Sequence, residues 1–107
     1  MAFFFSCSWF AKGVSIELKN LQSNAITHIV VSYKDGNKSI AHLGAGETNT
    51  FIVNPKSESN LVLKYIDNSG KQIEKAIDVY IEKNYSGKVI VHIKEGNDIQ
   101  VEDHINL

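Results

Sequence analysis

Apolar and polar residues alternate in short runs from residue 13 onward. In 14–18 and again in 89–93, every second residue is aliphatic. Further strand-forming runs lie at 26–33, 38–43, 48–53, 61–66 and 99–101. Alternation with a period of two is typical of a strand that buries one face. Because turn residues separate the runs at intervals of roughly eight to twelve positions, the pattern predicts an all-β sandwich or barrel.

The segment 71–84 fits two patterns. Its apolar positions include a set at i, i+3, i+4, i+7 and i+8, which is the spacing of an amphipathic helix. They also place isoleucines and a valine on one side of a strand, with acidic residues on the other. Lys75 interrupts the strand pattern, whereas Val79 interrupts the helical one. Short strands surround the segment and no N-cap residue follows Gly70, so a strand is favoured and a short helix is the alternative.

Length and composition fit one folded domain. The chain has 107 residues, of which 43% are hydrophobic and 21% are charged. A chain of this size can form one hydrophobic core without disulfides or a metal. We therefore predict a single domain over 1–107, built as a two-sheet antiparallel sandwich of about seven to nine strands with immunoglobulin-like or related Greek-key topology. An aromatic N-terminal segment covers 1–12, and 95–107 is predicted to be an acidic strand or tail.

Five of the ten aromatic residues of the chain lie in the aromatic segment, residues 1–12. These candidate binding residues are Phe3, Phe4, Phe5, Trp9 and Phe10. One interpretation is a first strand packed on the sheet; the other is an uncovered face that binds a second copy, a protein partner or, less favoured, a membrane surface. The segment lacks a preceding basic region and is too short to span a bilayer, so a cytoplasmic location is expected, with non-classical export as an alternative.

Charge and cysteine content argue against several classes of function. The net charge is −1 and every cationic residue is a lysine. Arginine is the usual residue for bidentate contacts with phosphate and guanine, so no nucleic-acid partner is expected. Cys7 is the single cysteine, which excludes an intrachain disulfide and cysteine-rich metal motifs.

No motif for catalysis or for a cofactor appears in the sequence, so we expect no enzymatic activity, no cofactor and no metal. The four histidines are dispersed; among them, His28 and His92 are the pair whose strands could bring them together. Tyr80 and Tyr85 flank a turn and are secondary binding candidates, because their rings could stack on a sugar.

The sequence thus favours a small non-enzymatic interaction protein. It would bind another protein, or itself as a homodimer, through the aromatic segment or through an exposed sheet edge. A bacterial or phage immunity or inhibitor protein would fit this size and composition. The alternatives are a membrane- or carbohydrate-binding sandwich and a histidine-dependent metal-binding protein.

Overall fold

A computed structural model describes residues 13–34, 36–55, 57–83 and 85–106, and contains eight strands. The strands are β1 (Val14–Asn20), β2 (Ile26–Tyr33), β3 (Gly36–Leu43), β4 (Thr48–Val53), β5 (Ser59–Ile66), β6 (Gln72–Ile81), β7 (Ser86–Lys94) and β8 (Asp98–Asn106). A short 3₁₀ turn, Glu95–Asn97, joins the last two strands. The segment that fitted both a helix and a strand is β6, and the acidic C-terminal residues form β8.

The strands form two four-stranded sheets. Sheet A has the order β4-β1-β7-β8, and sheet B has the order β3-β2-β5-β6. All neighbouring strands are antiparallel except β1 and β7, which run parallel. β4 pairs with β1 although β2 and β3, which separate them in sequence, belong to the other sheet. The two-sheet sandwich predicted from the sequence is confirmed, with eight strands in the described part of the chain.

The core lies between the two sheets and consists of the inward-facing residues of the alternating runs. From sheet A, Ile16, Leu18 and Val91 are fully buried, and Leu61 and Leu63 of sheet B face them. Burial of each such side chain contributes about 1.5–3 kcal/mol to folding. The next residue along each strand points to the outer surface, which explains the period of two in the sequence.

Asn20 is a fully buried polar residue at the end of β1. Its Nδ2 donates to the carbonyl oxygens of Asn24 at 2.9 Å, Leu43 at 3.1 Å and Gly44 at 3.1 Å. Its Oδ1 accepts from the backbone N–H of Gln22 at 3.1 Å. One side chain therefore ties the β1–β2 loop in place and fixes it to the end of β3.

A second polar network lies at the same end of the sandwich. The hydroxyl of Tyr65 donates to Oδ1 of Asn97 at 2.7 Å, and Nδ2 of Asn97 donates to Asp67 at 3.1 Å. The Asp67 carboxylate also accepts from the Ser69 hydroxyl and from the backbone N–H groups of Ser69 and Lys71. These hydrogen bonds, first among them the one from the Ser69 hydroxyl, lower the pKa of Asp67 to about 2.

The described part of the chain contains no helix that is both long enough and apolar enough to cross a membrane.

Candidate binding edge

Among the described strands, four lie at the edges of the sandwich: β4 and β8 in sheet A, and β3 and β6 in sheet B. An edge strand has backbone N–H and C=O groups directed away from its sheet, and these groups can pair with the strand of another chain. Proteins commonly prevent such pairing with a bulge, or with a charged side chain on the core-facing side of the edge strand. The four edges of this sandwich differ in these features.

Both edges of sheet B have a charged residue on the core-facing side. Lys38 of β3 pairs with Val31, which is buried, and cross-strand partners share a face of the sheet. Lys75 of β6 likewise pairs with the buried Leu63. The register of β6 with β5 also shifts between Asn60 and Leu61, which marks a bulge. A strand added to either edge would place its own core-facing apolar side chains beside one of these lysines.

In sheet A, β8 is protected in the same way. Asp103 pairs with the buried Val89, so it occupies a core-facing position. Asp98 and Glu102 add two further acids to this strand. An incoming strand would face three carboxylates along one edge, and an uncharged or acidic strand would be disfavoured.

β4 lacks these protective features. The strand contains no charged residue and no proline, and its register with β1 is unbroken from Thr48 to Val53. Its core-facing residues are Asn49, Phe51 and Val53, and its outer face shows two threonines and Ile52, which is 42% exposed. By charge and regularity, β4 is the edge best suited to pair with another strand.

Gly13, the residue that follows the aromatic segment in sequence, lies beside the end of β4. Gly13, where the described chain begins, has a φ of 132°. A Cβ at this position would lie 2.7 Å from the carbonyl oxygen of Val53, so glycine is required by both conformation and space. The candidate residues of the aromatic segment, and Cys7, lie outside the described residues.

Tyr80 and Tyr85 are brought together at the opposite edge of the sandwich. Their ring centroids are 6.2 Å apart with an interplanar angle of 71°, an edge-to-face contact. The Tyr80 hydroxyl lies 2.8 Å from Oε2 of Glu58 and 3.0 Å from Oε2 of Glu82, and these hydrogen bonds raise the pKa of Tyr80. Burial, followed by the charge of Glu82, raises the pKa of Tyr85.

The structure does not bring His28 and His92 together. His28 is exposed in β2, where its φ is 51°, whereas His92 lies in the other sheet and contacts Glu102. His104 is 3.4 Å from the same carboxylate, and the two histidines lower the pKa of Glu102. Among the described residues, no group of three or more His, Cys, Asp or Glu side chains could hold a metal ion.

Comparison with known proteins supports the fold and supplies no function. No protein-family model and no curated protein matches the chain. An NMR structure of a protein from Eubacterium rectale is similar to it, with a TM-score of 0.59 and 18% sequence identity. The match covers 85% of this chain and 87% of that chain. At this level of identity the similarity shows a shared sandwich fold and nothing about activity.

The sequence did not lead us to predict that β4, unlike the other edge strands, carries no charged residue. The signal was present, since 48–53 is free of charge while the three other edge segments contain lysine or acids. It could not be used, however, because sequence alone does not show which strands lie at an edge.

Proposed function

We propose that this chain is a non-enzymatic protein-interaction module that binds an extended segment of a partner protein along β4. The observation that carries the proposal is that β3, β6 and β8 each have a core-facing charge whereas β4 has none. A partner segment would add a fifth strand to sheet A through backbone hydrogen bonds, with its side chains providing specificity.

The composition of β4 indicates the chemistry of the partner segment. Threonine on the outer face and Phe51 on the core-facing side favour an uncharged segment rich in β-branched and aromatic residues. A charged segment would lose its hydration against these side chains without gaining an ion pair. The aromatic segment, which joins the sandwich beside β4, would add apolar contact area to the same interface.

The test uses the full chain and a displayed library of random peptides. The peptides it selects are expected to be uncharged, and in a ¹⁵N-labelled sample they should shift and protect the amides of β4. Thr50→Lys adds a charge to this edge, and Glu17 is its cross-strand neighbour, so the fold should tolerate the lysine. We expect an affinity loss of about tenfold or more for this variant. Gln100→Lys, on the edge strand β8, is the matched control and should bind normally.

The proposal is wrong if the selected peptides shift resonances outside β4, or if Thr50→Lys binds them as tightly as the unaltered chain. Sedimentation of the protein without peptide shows whether a second copy is the partner. Deletion of residues 1–11 measures how much the aromatic segment contributes to binding. An unaltered oligomeric state and an unaltered peptide affinity would show that the segment is not part of the interface.

A further inference from the structure

A groove lies at one end of sheet B, away from β4. It is a groove of about 420 Å³ between the end of β2 and the beginning of β5. Its lining residues are Ser32, Tyr33, Lys34, Glu58, Ser59, Asn60 and Val62. The volume falls within the range of roughly 300–1,000 Å³ that is usual for small-molecule sites.

The walls of the groove are held in place by hydrogen bonds. The hydroxyl of Ser59, a buried residue, accepts from the backbone N–H of Lys34 at 2.7 Å and donates to the carbonyl oxygen of Asn60 at 2.9 Å. Ser32 pairs in register with Val62, which places both side chains on the same face of the sheet. The concave surface therefore exists before any ligand arrives.

Tyr80 lies beside the groove, where its hydroxyl is hydrogen-bonded to Glu58 of the wall. It pairs in register with Asn60, so its ring lies on the same outer face, and it is 47% exposed. Hydrogen bonds to Glu58 and Glu82 and the edge-to-face contact with Tyr85 fix the orientation of the ring. Glu58 belongs both to the groove wall and to this support.

The polar and apolar side chains of the groove indicate which class of ligand it can bind. The two charged residues among the described lining, Lys34 and Glu58, have opposite signs. The lining also offers the hydroxyl of Ser32, the amide of Asn60 and the apolar surface of Val62, and the ring of Tyr80 lies beside it. A sugar ring presents the complementary surface, with C–H groups on one face and hydroxyls around its rim.

We propose that this groove binds a neutral saccharide, with a sugar ring stacked on the exposed surface of Tyr80. Ring hydroxyls donate to Oε1 of Glu58, since the hydrogen bond from Tyr80 uses Oε2, and exchange hydrogen bonds with the Asn60 amide. The ammonium group of Lys34 donates to a hydroxyl or ring oxygen at the other wall. This site is independent of the strand-pairing function proposed for β4.

The experiment titrates the ¹⁵N-labelled full chain with neutral tetrasaccharides of glucose, xylose, mannose and N-acetylglucosamine. At least one of these probes should shift the amides of Ser32, Asn60 and Val62 at millimolar concentration. Tyr80→Ala should weaken binding about tenfold, whereas Tyr80→Phe keeps the ring and should stay within about threefold of the unaltered chain.

Glu58→Gln tests the hydrogen-bonding wall and should weaken binding several-fold. Its matched control is Glu74→Gln, on the same sheet outside the groove, which should bind normally. Dispersion of the amide spectrum verifies that each variant is folded. The proposal is overturned if no probe shifts the groove amides, or if Tyr80→Ala binds as well as the unaltered chain. It is also overturned if only an acidic oligosaccharide binds, because Lys34 would then provide the recognition.

Discussion

Replacement of Asn20 by alanine removes the side chain that holds two loops together. In the native structure its amide group donates to three carbonyl oxygens and accepts from one N–H, and its contact with Leu43 is fully buried. A buried polar group left without a partner costs about 1–3 kcal/mol. Since the other contacts are partly exposed and water can replace them, we expect Asn20→Ala to lower the free energy of unfolding by about 1–3 kcal/mol.

Asn20→Asp sharpens this prediction, because it keeps the shape of the side chain and changes only its chemistry. Nδ2 becomes an oxygen that faces three carbonyl oxygens, so the ionised carboxylate is repelled and desolvated. The pKa of the new carboxyl in the folded state is therefore raised above its unfolded value of about 3.9. A raised folded pKa means that stability is retained below the unfolded pKa and lost as the pH rises through the folded pKa.

Urea denaturation followed by circular dichroism measures both effects. The stability difference between Asn20→Asp and the native chain should widen from about pH 4 to about pH 7, while that of Asn20→Ala should stay nearly constant over the same range. Asn37→Ala, at an exposed position of β3, is the control and should change stability by less than about 0.5 kcal/mol. A loss below about 1 kcal/mol for Asn20→Ala, or a pH-independent loss for Asn20→Asp, would refute the reasoning.

Two further predictions concern the network at the same end of the sandwich. The pKa of Asp67 is lowered in the folded state to about 2, so its contribution to stability is present above about pH 4 and is lost as the pH falls toward 2. Asp67→Asn should remove most of this loss of stability at low pH, measured by urea denaturation at several pH values. An unchanged loss of stability in the variant would contradict the prediction. Tyr65→Phe removes the 2.7 Å hydrogen bond to Asn97, whose Oδ1 still accepts from Gln22. We expect a loss of about 1 kcal/mol in urea denaturation at neutral pH, and equal stability of the two proteins would contradict it.

The sequence predicted the strands well because each run buries one face. Every segment assigned to a strand from residue 13 onward is a strand in the structure, and 71–84 contains β6. Lys75, which interrupts the alternation there, lies on the core-facing side of an edge strand, where its side chain is only partly buried. A helix was excluded by antiparallel pairing with the preceding strand β5, a contact that the periodicity of 71–84 alone does not contain.

The candidate sites were less predictable. Tyr80 and Tyr85 were identified as a pair because they flank a turn, but the carboxylates that fix the Tyr80 ring come from different segments. Glu58 is 22 residues away in sequence and reaches the hydroxyl only because β5 and β6 are neighbours. The predicted binding residues of the aromatic segment lie outside the described structure, so their role stays a prediction.

The sequence by itself determined that this protein folds as β-strands with one buried face, because the alternation of side chains directly reflects the period of a strand. It also determined where the chain turns. Only the tertiary structure decided that β4 is an uncharged edge while β3, β6 and β8 carry core-facing charges. The physical reason is that a strand lies at an edge only by virtue of the strand order. Strand order depends on which distant runs pair through backbone hydrogen bonds, and every residue except proline can make those bonds.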